Sequence, residues 1–275
     1  MRNTLVALCL AFVLHYICVN TSQAQGTIGK EADQQAHRTT KSDSAFKLPE
    51  PEMVLVEGGS FMMGLGTDSD HNGFQNTVRT HKVTLSSFKI GKYEISQSEW
   101  KAVMGESSNF SQHQGCANCP VEEVSWNDIQ LFIQKLNAAT GKHYQLPTEA
   151  QWEYAARGGN KSKGYKYAGS DNVNDITEPG GTFTGKTHPV GSKRPNELRI
   201  YDMSANLAEW CGDWFDPHYI PGATTDPPGA PSGVGHFIRG GSWGIHPNEC
   251  LITSFKMGYP NDRNARVGFR LVLMP

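Results

Sequence analysis

The sequence predicts an α+β domain of short helices and short strands joined by long ordered connections. Helix starts are spelled out: Ser96-Gln97-Ser98-Glu99 and Thr148-Glu149-Ala150-Gln151 read as capping boxes. In each, the leading hydroxyl accepts from the backbone three residues on and the acid or amide reaches back. Short apolar runs with strand alternation, such as Val83-Thr84-Leu85, supply the β component. The 275 residues include 29 Gly and 15 Pro, offset by six Trp, nine Tyr and twelve Phe. A few large rings can fill a core between many loops. The formal net charge of −2 leaves no basic field for nucleic acid or an anionic membrane.

Residues 1–24 read as a signal peptide. Arg2 gives the positive start, residues 5–19 are mostly apolar, and Ser22-Gln23-Ala24 offers a small-residue cleavage site. The run is too short, and too interrupted by His15 and Tyr16, to serve as a transmembrane segment. Tyr16 and Ile17 before Cys18 do not make a lipobox. The expectation is an exported protein: periplasmic, cell-surface or secreted. Residues 25–51 are polar and charged and bury too little to order themselves, so they read as a disordered linker. The folded domain is expected over 52–275.

In that domain, Met53-Val54-Leu55-Val56 and Phe61-Met62-Met63 open as strands around the Gly58-Gly59 turn. A polar loop with Asp68, Asp70 and His71 follows. Val83–Leu85, Phe88–Ile90 and Tyr93–Ile95 are the next expected strands. The helix capped by Ser96 runs through Trp100 and Val103 to Gly105. Ser125 caps the clearest helix, in which Ile129, Phe132, Ile133 and Leu136 share one face and Gly141 ends it. After Pro147, the Thr148 helix turns Trp152 and Ala155-Ala156 to the core. Glu149 and Glu153 read as helix-start charge, with a local ion pair to Arg157. Residues 164–196 form a long Gly-, Asp- and Asn-rich connection. Residues 267–273 are an alternating terminal strand.

Once the signal is removed, Cys116, Cys119, Cys211 and Cys250 remain, and four cysteines allow three pairings. Cys116-Ala117-Asn118-Cys119 has redox or half-zinc spacing, but no second ligand pair completes a zinc site. In an oxidising compartment it reads as a local disulfide, which leaves Cys211 with Cys250. Asp202 and Glu209 bracket six uncharged residues around Asn206. Two carboxylates with backbone carbonyls in a tight turn make a hard-oxygen cage suited to calcium. Arg239-Gly240-Gly241-Ser242-Trp243-Gly244-Ile245-His246-Pro247-Asn248-Glu249-Cys250 combines a permissive diglycine with an indole, an imidazole and a thiol.

Taken in order, Gly58–Gly64, Val83–Leu85, Pro120-Val121-Glu122, Val124-Ser125-Trp126, Leu146–Glu153, Asp202-Met203, Glu209-Trp210, Arg239–Trp243 and Gly268-Phe269-Arg270 resemble the formylglycine-generating-enzyme (sulfatase-modifying factor) domain family. The resemblance covers the mature domain and implies a C-type-lectin-like variant fold, often steadied by calcium. It implies an oxidase that uses O₂ and copper(I), held by two thiolates, to convert a cysteine of sulfatase precursors to formylglycine. Soft thiolates suit copper(I). It further implies that calcium is held by the side chains of Asp202 and Glu209 and the carbonyls of Ala205 and Leu207.

The catalytic positions depart from that pattern. Ser242 and Cys250 stand where the serine and second copper cysteine belong, but Ile245 takes the place of the first. An isoleucine cannot ligate copper. Two readings follow. In one, the protein is a non-catalytic binding or assembly module, whose cleft of Trp243, His246 and Trp210 receives a peptide, glycan or protein partner. In the other, it is an oxidase of sulfatase precursors with an altered copper site, in which Cys250, Ser242 and His246 act. The Ile245 substitution favours the first.

Overall fold

The computed structural model describes residues 48–64, 80–177, 185–216 and 225–274. The expected signal peptide, residues 25–47 of the linker, and Asp68, Asp70 and His71 lie outside them. The last linker residues are part of the fold. Pro51 is buried, and Glu50 accepts from the Tyr144 hydroxyl at 3.0 Å and pairs with Lys142.

Three small sheets carry the domain. In the first, β1 (Met53–Val56), β4 (Phe88–Gly91), β10 (Val272–Leu273) and β5 (Tyr144–Gln145) are ordered β1-β4-β10-β5, with every pair antiparallel. The C-terminus therefore sits inside the sheet that the N-terminal strands begin. The second sheet is the pair β2 (Gly59–Met63) and β3 (His81–Leu85). The third is ordered β8-β7-β6-β9, from β8 (Phe255–Gly258), β7 (His236–Arg239), β6 (Ala208–Trp214) and β9 (Val267–Gly268). Its β6–β9 pair is parallel and the others antiparallel.

The helices start where the capping signals place them. In α1 (Gln97–Met104), α2 (Trp126–Thr140) and α3 (Glu149–Ala156), Ser96, Ser125 and Thr148 each form a reciprocal capping box, with Glu99, Asp128 and Gln151. Such a cap is worth about 1 kcal/mol. Gly141 ends α2 in the left-handed conformation at φ 69°. Ile129, Phe132, Ile133 and Leu136 are buried on the core face of α2, and Phe132 stacks on Trp100 of α1 at 5.2 Å.

Two expectations are corrected. The strand expected at Tyr93–Ile95 does not form; the Ile95 N–H donates to the Phe269 carbonyl at 2.9 Å, while Glu94 turns inward to the loop at 206–207. The terminal strand breaks into β9 and β10, which belong to different sheets. Between them, the Arg270 guanidinium donates to the Gly91 and Tyr201 carbonyls and to Glu209, while the Phe269 and Leu271 carbonyls accept from the Ile95 and Gly91 N–H groups.

Candidate functional site

The diglycine corner shows why no other residues fit there. Gly240 and Gly241 have φ of 92° and 70°, where a side chain is strained. A Cβ on Gly240 would lie 2.9 Å from the Trp152 ring, and one on Gly241 would lie 2.8 Å from the Cys250 sulfur. The corner thus packs the Gly241 backbone directly against Cys250. Ser242 is buried and its hydroxyl contacts the Trp243 carbonyl at 3.3 Å.

Cys250 is fully buried, in a small apolar cluster with Tyr167, Ala205, Ile245 and Leu251. Burial, and then the charge of Glu249, push its thiol up to about 12, against a weaker opposing hydrogen bond from the Ser242 backbone. At neutral pH it is a protonated, hydrophobic thiol rather than a thiolate. Ile245, which the family resemblance sets at the first copper position, packs in the same cluster. His246 caps the short turn Pro247–Cys250, its Nδ1 accepting from the Asn248 N–H at 3.2 Å. Among the described residues, no group of three or more His, Cys, Asp or Glu is arranged to hold a metal.

The expected Cys211–Cys250 disulfide is absent: both are free, buried thiols. Cys211 lies on β6 in the core of Trp152 and Phe237, whereas Cys250 belongs to the separate cluster around Ile245. Each sulfur is held in its own apolar bed. The Cys116–Cys119 disulfide is formed, with Cα atoms 5.2 Å apart.

Beside the corner lies a cleft of about 330 Å³, within the range of small-ligand sites. Register explains its floor. Trp210, Ile238 and Lys256 are paired across β6, β7 and β8 and so share a sheet face. Ser242 and Ile245 line one side, and the loop at Asp262–Arg266 another. Trp210 is a floor residue whose indole N–H donates to the Val124 carbonyl at 3.1 Å. Trp243 stands behind the rim: its N–H donates to the Ala265 carbonyl at 3.1 Å, and its ring meets His113 edge-on and the Arg266 guanidinium at 4.9 Å. Neither Trp243 nor His246 lines the cleft, so only Trp210 of the three expected cleft residues does.

The Asp202–Glu209 turn is tight and non-helical, as expected. Asp202, Ala205 and Asn206 have φ of 60°, 85° and 58°, unusual for residues with side chains. Glu209 is fully buried, bound by Arg270 through Nε and Nη2 at 2.7 Å each, and accepts from the Trp152 indole at 2.8 Å. Asp202 accepts from the Gly191 N–H at 2.7 Å through Oδ2, while Oδ1 is buried without a partner. Glu94 binds the turn through the Leu207 N–H at 2.9 Å and the Asn206 amide at 2.6 Å. Burial raises the carboxyls of Glu94 and Asp202 above their ordinary range; for Glu94 the charges of Asp202 and Glu209 add to this. Arg270 and the Trp152 indole take up both oxygens of Glu209, so the feature of this turn that speaks for a hard cation is the buried, unpartnered Oδ1 of Asp202.

Sequence reasoning did not find Glu94, Arg270 or the pairing of Arg239. Arg239 binds Glu153 at 2.5 Å and Glu149 at 3.2 Å, and its guanidinium lies over Trp152 at 5.3 Å. The local Glu153–Arg157 pair forms too, at 2.7 Å. The alternating pattern at residues 267–273 gave no sign that Arg270 points inward.

The model of the sulfatase-modifying factor enzyme 1-like domain matches residues 38–275. The formylglycine-generating enzyme of Streptomyces coelicolor is 34% identical over 273 residues, covering 88% of this chain and 82% of that protein. The chaperone protein LppX of Paenibacillus barcinonensis is 32% identical over 282 residues, covering 82% and 87%. Among solved structures, Treponema denticola variable protein 1 matches with TM-score 0.69 and 28% identity, over 81% of this chain and 95% of that one. PvdO from Pseudomonas aeruginosa matches with TM-score 0.69 and 27% identity, over 82% and 95%. These neighbours share the short strands, few helices and mixed sheets of the α+β, C-type-lectin-like variant. The chain belongs to the formylglycine-generating-enzyme (sulfatase-modifying factor) domain family.

Proposed function

We propose that this protein is an exported, non-catalytic binding or assembly module of its family, which holds a peptide, glycan or protein partner in the cleft beside Ser242 and Ile245. The observation that carries this reading is geometric: Cys250 is a buried thiol packed against Ile245, the residue that stands where the family resemblance puts the other copper ligand. Copper(I) held by two thiolates needs two sulfurs that give up their protons. Here one sulfur is missing and the other is held in an apolar cluster. The relatives are mixed: one is named a chaperone and another a formylglycine-generating enzyme. Export rests on the N-terminal pattern of residues 1–24. No helix among the described residues is long and apolar enough to cross a membrane.

Calcium is the cofactor this reading includes. The carboxylate of Asp202 would hold it with the Ala205 and Leu207 carbonyls, whereas Glu209, the other ligand the resemblance implies, would join only by giving up its contact with Arg270. Its role is to stiffen the turn that leads into β6 and hence the floor of the cleft.

The alternative, oxidation of a sulfatase cysteine, is tested directly. Incubation of the purified protein with a cysteine-containing sulfatase peptide, copper(I) and O₂ should give no conversion above that of a Cys250→Ser control. Turnover that depends on Cys250 overturns the non-catalytic reading.

A further inference from the structure

Arg266 differs from the other cations of the cleft. Lys256 is paired with Glu249 at 2.6 Å, and Arg263 with Asp128 at 2.9 Å while also lying over Phe110 at 5.0 Å. Among the described residues no carboxylate pairs with Arg266. The carboxylate of Asp262, the other anion of the lining, accepts from the Tyr259 N–H at 3.0 Å.

Arg266 is nonetheless fixed. Its backbone carbonyl accepts from the Ala208 N–H at 2.9 Å, and its own N–H donates to the Asn264 side chain at 2.9 Å. The guanidinium rests over Trp243 at 4.9 Å and against Gly244, where a Cβ would approach it to 3.3 Å. A planar fork of donors, oriented by an aromatic ring and left uncompensated at the edge of a cleft, is suited to bidentate recognition of a carboxylate.

We propose that the cleft takes a peptide carboxylate, gripped by Arg266, with an adjacent apolar side chain laid on the Trp210 and Ile238 floor. This rests on the binding-module reading and names the ligand class of that site. The carboxylate has two sources, an Asp or Glu side chain or a chain terminus, and the same fork accepts both.

The test is calorimetric titration with three sets of short acetylated peptides. One set carries a Glu-Leu pair and is amidated; the second carries Gln-Leu and is amidated; the third carries Gln-Leu with a free C-terminal carboxylate. The proteins are the full mature chain, Arg266→Gln, Arg266→Lys, and Lys256→Trp, which fills the cleft from its edge strand; near-ultraviolet circular dichroism checks that each is folded. The expected result is a preference for one carboxylate set over the neutral set of about tenfold or more. That preference is lost in Arg266→Gln, partly kept in Arg266→Lys, and reduced by added salt. Which carboxylate set wins identifies the source. Equal binding of all three sets, all weakened by Lys256→Trp, overturns this inference and leaves the binding module standing. A preference that survives Arg266→Gln also overturns it. Absence of any binding sensitive to Lys256→Trp removes both.

Discussion

The chain treats two neighbouring regions in opposite ways. Around β6 and α3 it buries charge freely: Arg239 with Glu153, and Arg270 with Glu209. Around residues 241–250, on the other side of the same diglycine corner, it buries a thiol, an isoleucine and a leucine in an apolar cluster. The first region keeps its charged groups because each has a partner, and a buried charge is tolerable only when paired. The second has no charge to pair: Cys250, Ile245 and Leu251 are held by apolar packing alone.

The largest effect should come from breaking the frame. Arg270→Met leaves Glu209, Glu94 and Asp202 without their cation and should lower unfolding free energy in urea by about 3–5 kcal/mol. A loss under about 1 kcal/mol would mean that the buried pair is not what holds β6 to the C-terminus. The Asp202 turn is next. Added calcium should raise stability by about 2.7 kcal/mol at a hundredfold excess over its dissociation constant. Asp202→Ala should abolish the rise, and a wild-type melting temperature indifferent to calcium and to chelator removes the ion from the turn.

A smaller effect belongs to pH. Burial raises Glu149 to about 8, against the charge of Arg239, and Asp213 to about 7. Both are carboxyls that the fold prefers neutral, so their contribution is complete below the ordinary carboxylate range and is lost as pH rises through 7 to 8. Glu153 is held low by Arg239 and Arg157 despite its burial, so its contribution is lost only under acid conditions. Stability should therefore peak in mildly acid solution and fall by on the order of 1–2 kcal/mol towards pH 9, after allowance for screening. Thermal melts of Glu149→Gln should show a flatter decline, and an unchanged slope counts against Glu149 as its source. The mildest probe concerns the second region. Alkylation without reductant should leave Cys211 and Cys250 untouched in the native protein and modify both in denaturant. Peptide mapping that recovers them as a disulfide restores the pairing expected from the cysteine count.

Much of the frame was legible because its signals are local. Ser96, Ser125 and Thr148 announce helix starts through hydrogen bonds that close within three residues, and Gly240 and Gly241 announce a corner that only glycine tolerates. The Asp202–Glu209 turn was legible as an oxygen-rich loop. The pairing of Cys211 with Cys250 was misread because counting cysteines says nothing of which apolar cluster each sulfur enters. His246 and Trp243 were assigned to the cleft from their nearness to Ser242 in sequence. In three dimensions one caps a turn, and the other backs the rim through Arg266.

Read alone, the sequence settled the kind of fold, the helix boundaries and the family, since each depends on residue identity at short range or at fixed spacing. Tertiary structure alone decided which charges are buried together, that β9 and β10 part into separate sheets around Arg270, and that Arg266 is left as the uncompensated cation of the cleft. Those outcomes depend on contacts between residues far apart in sequence, such as Arg270 and Gly91, 179 positions apart. No local pattern encodes the desolvation and pairing energies that choose among such partners.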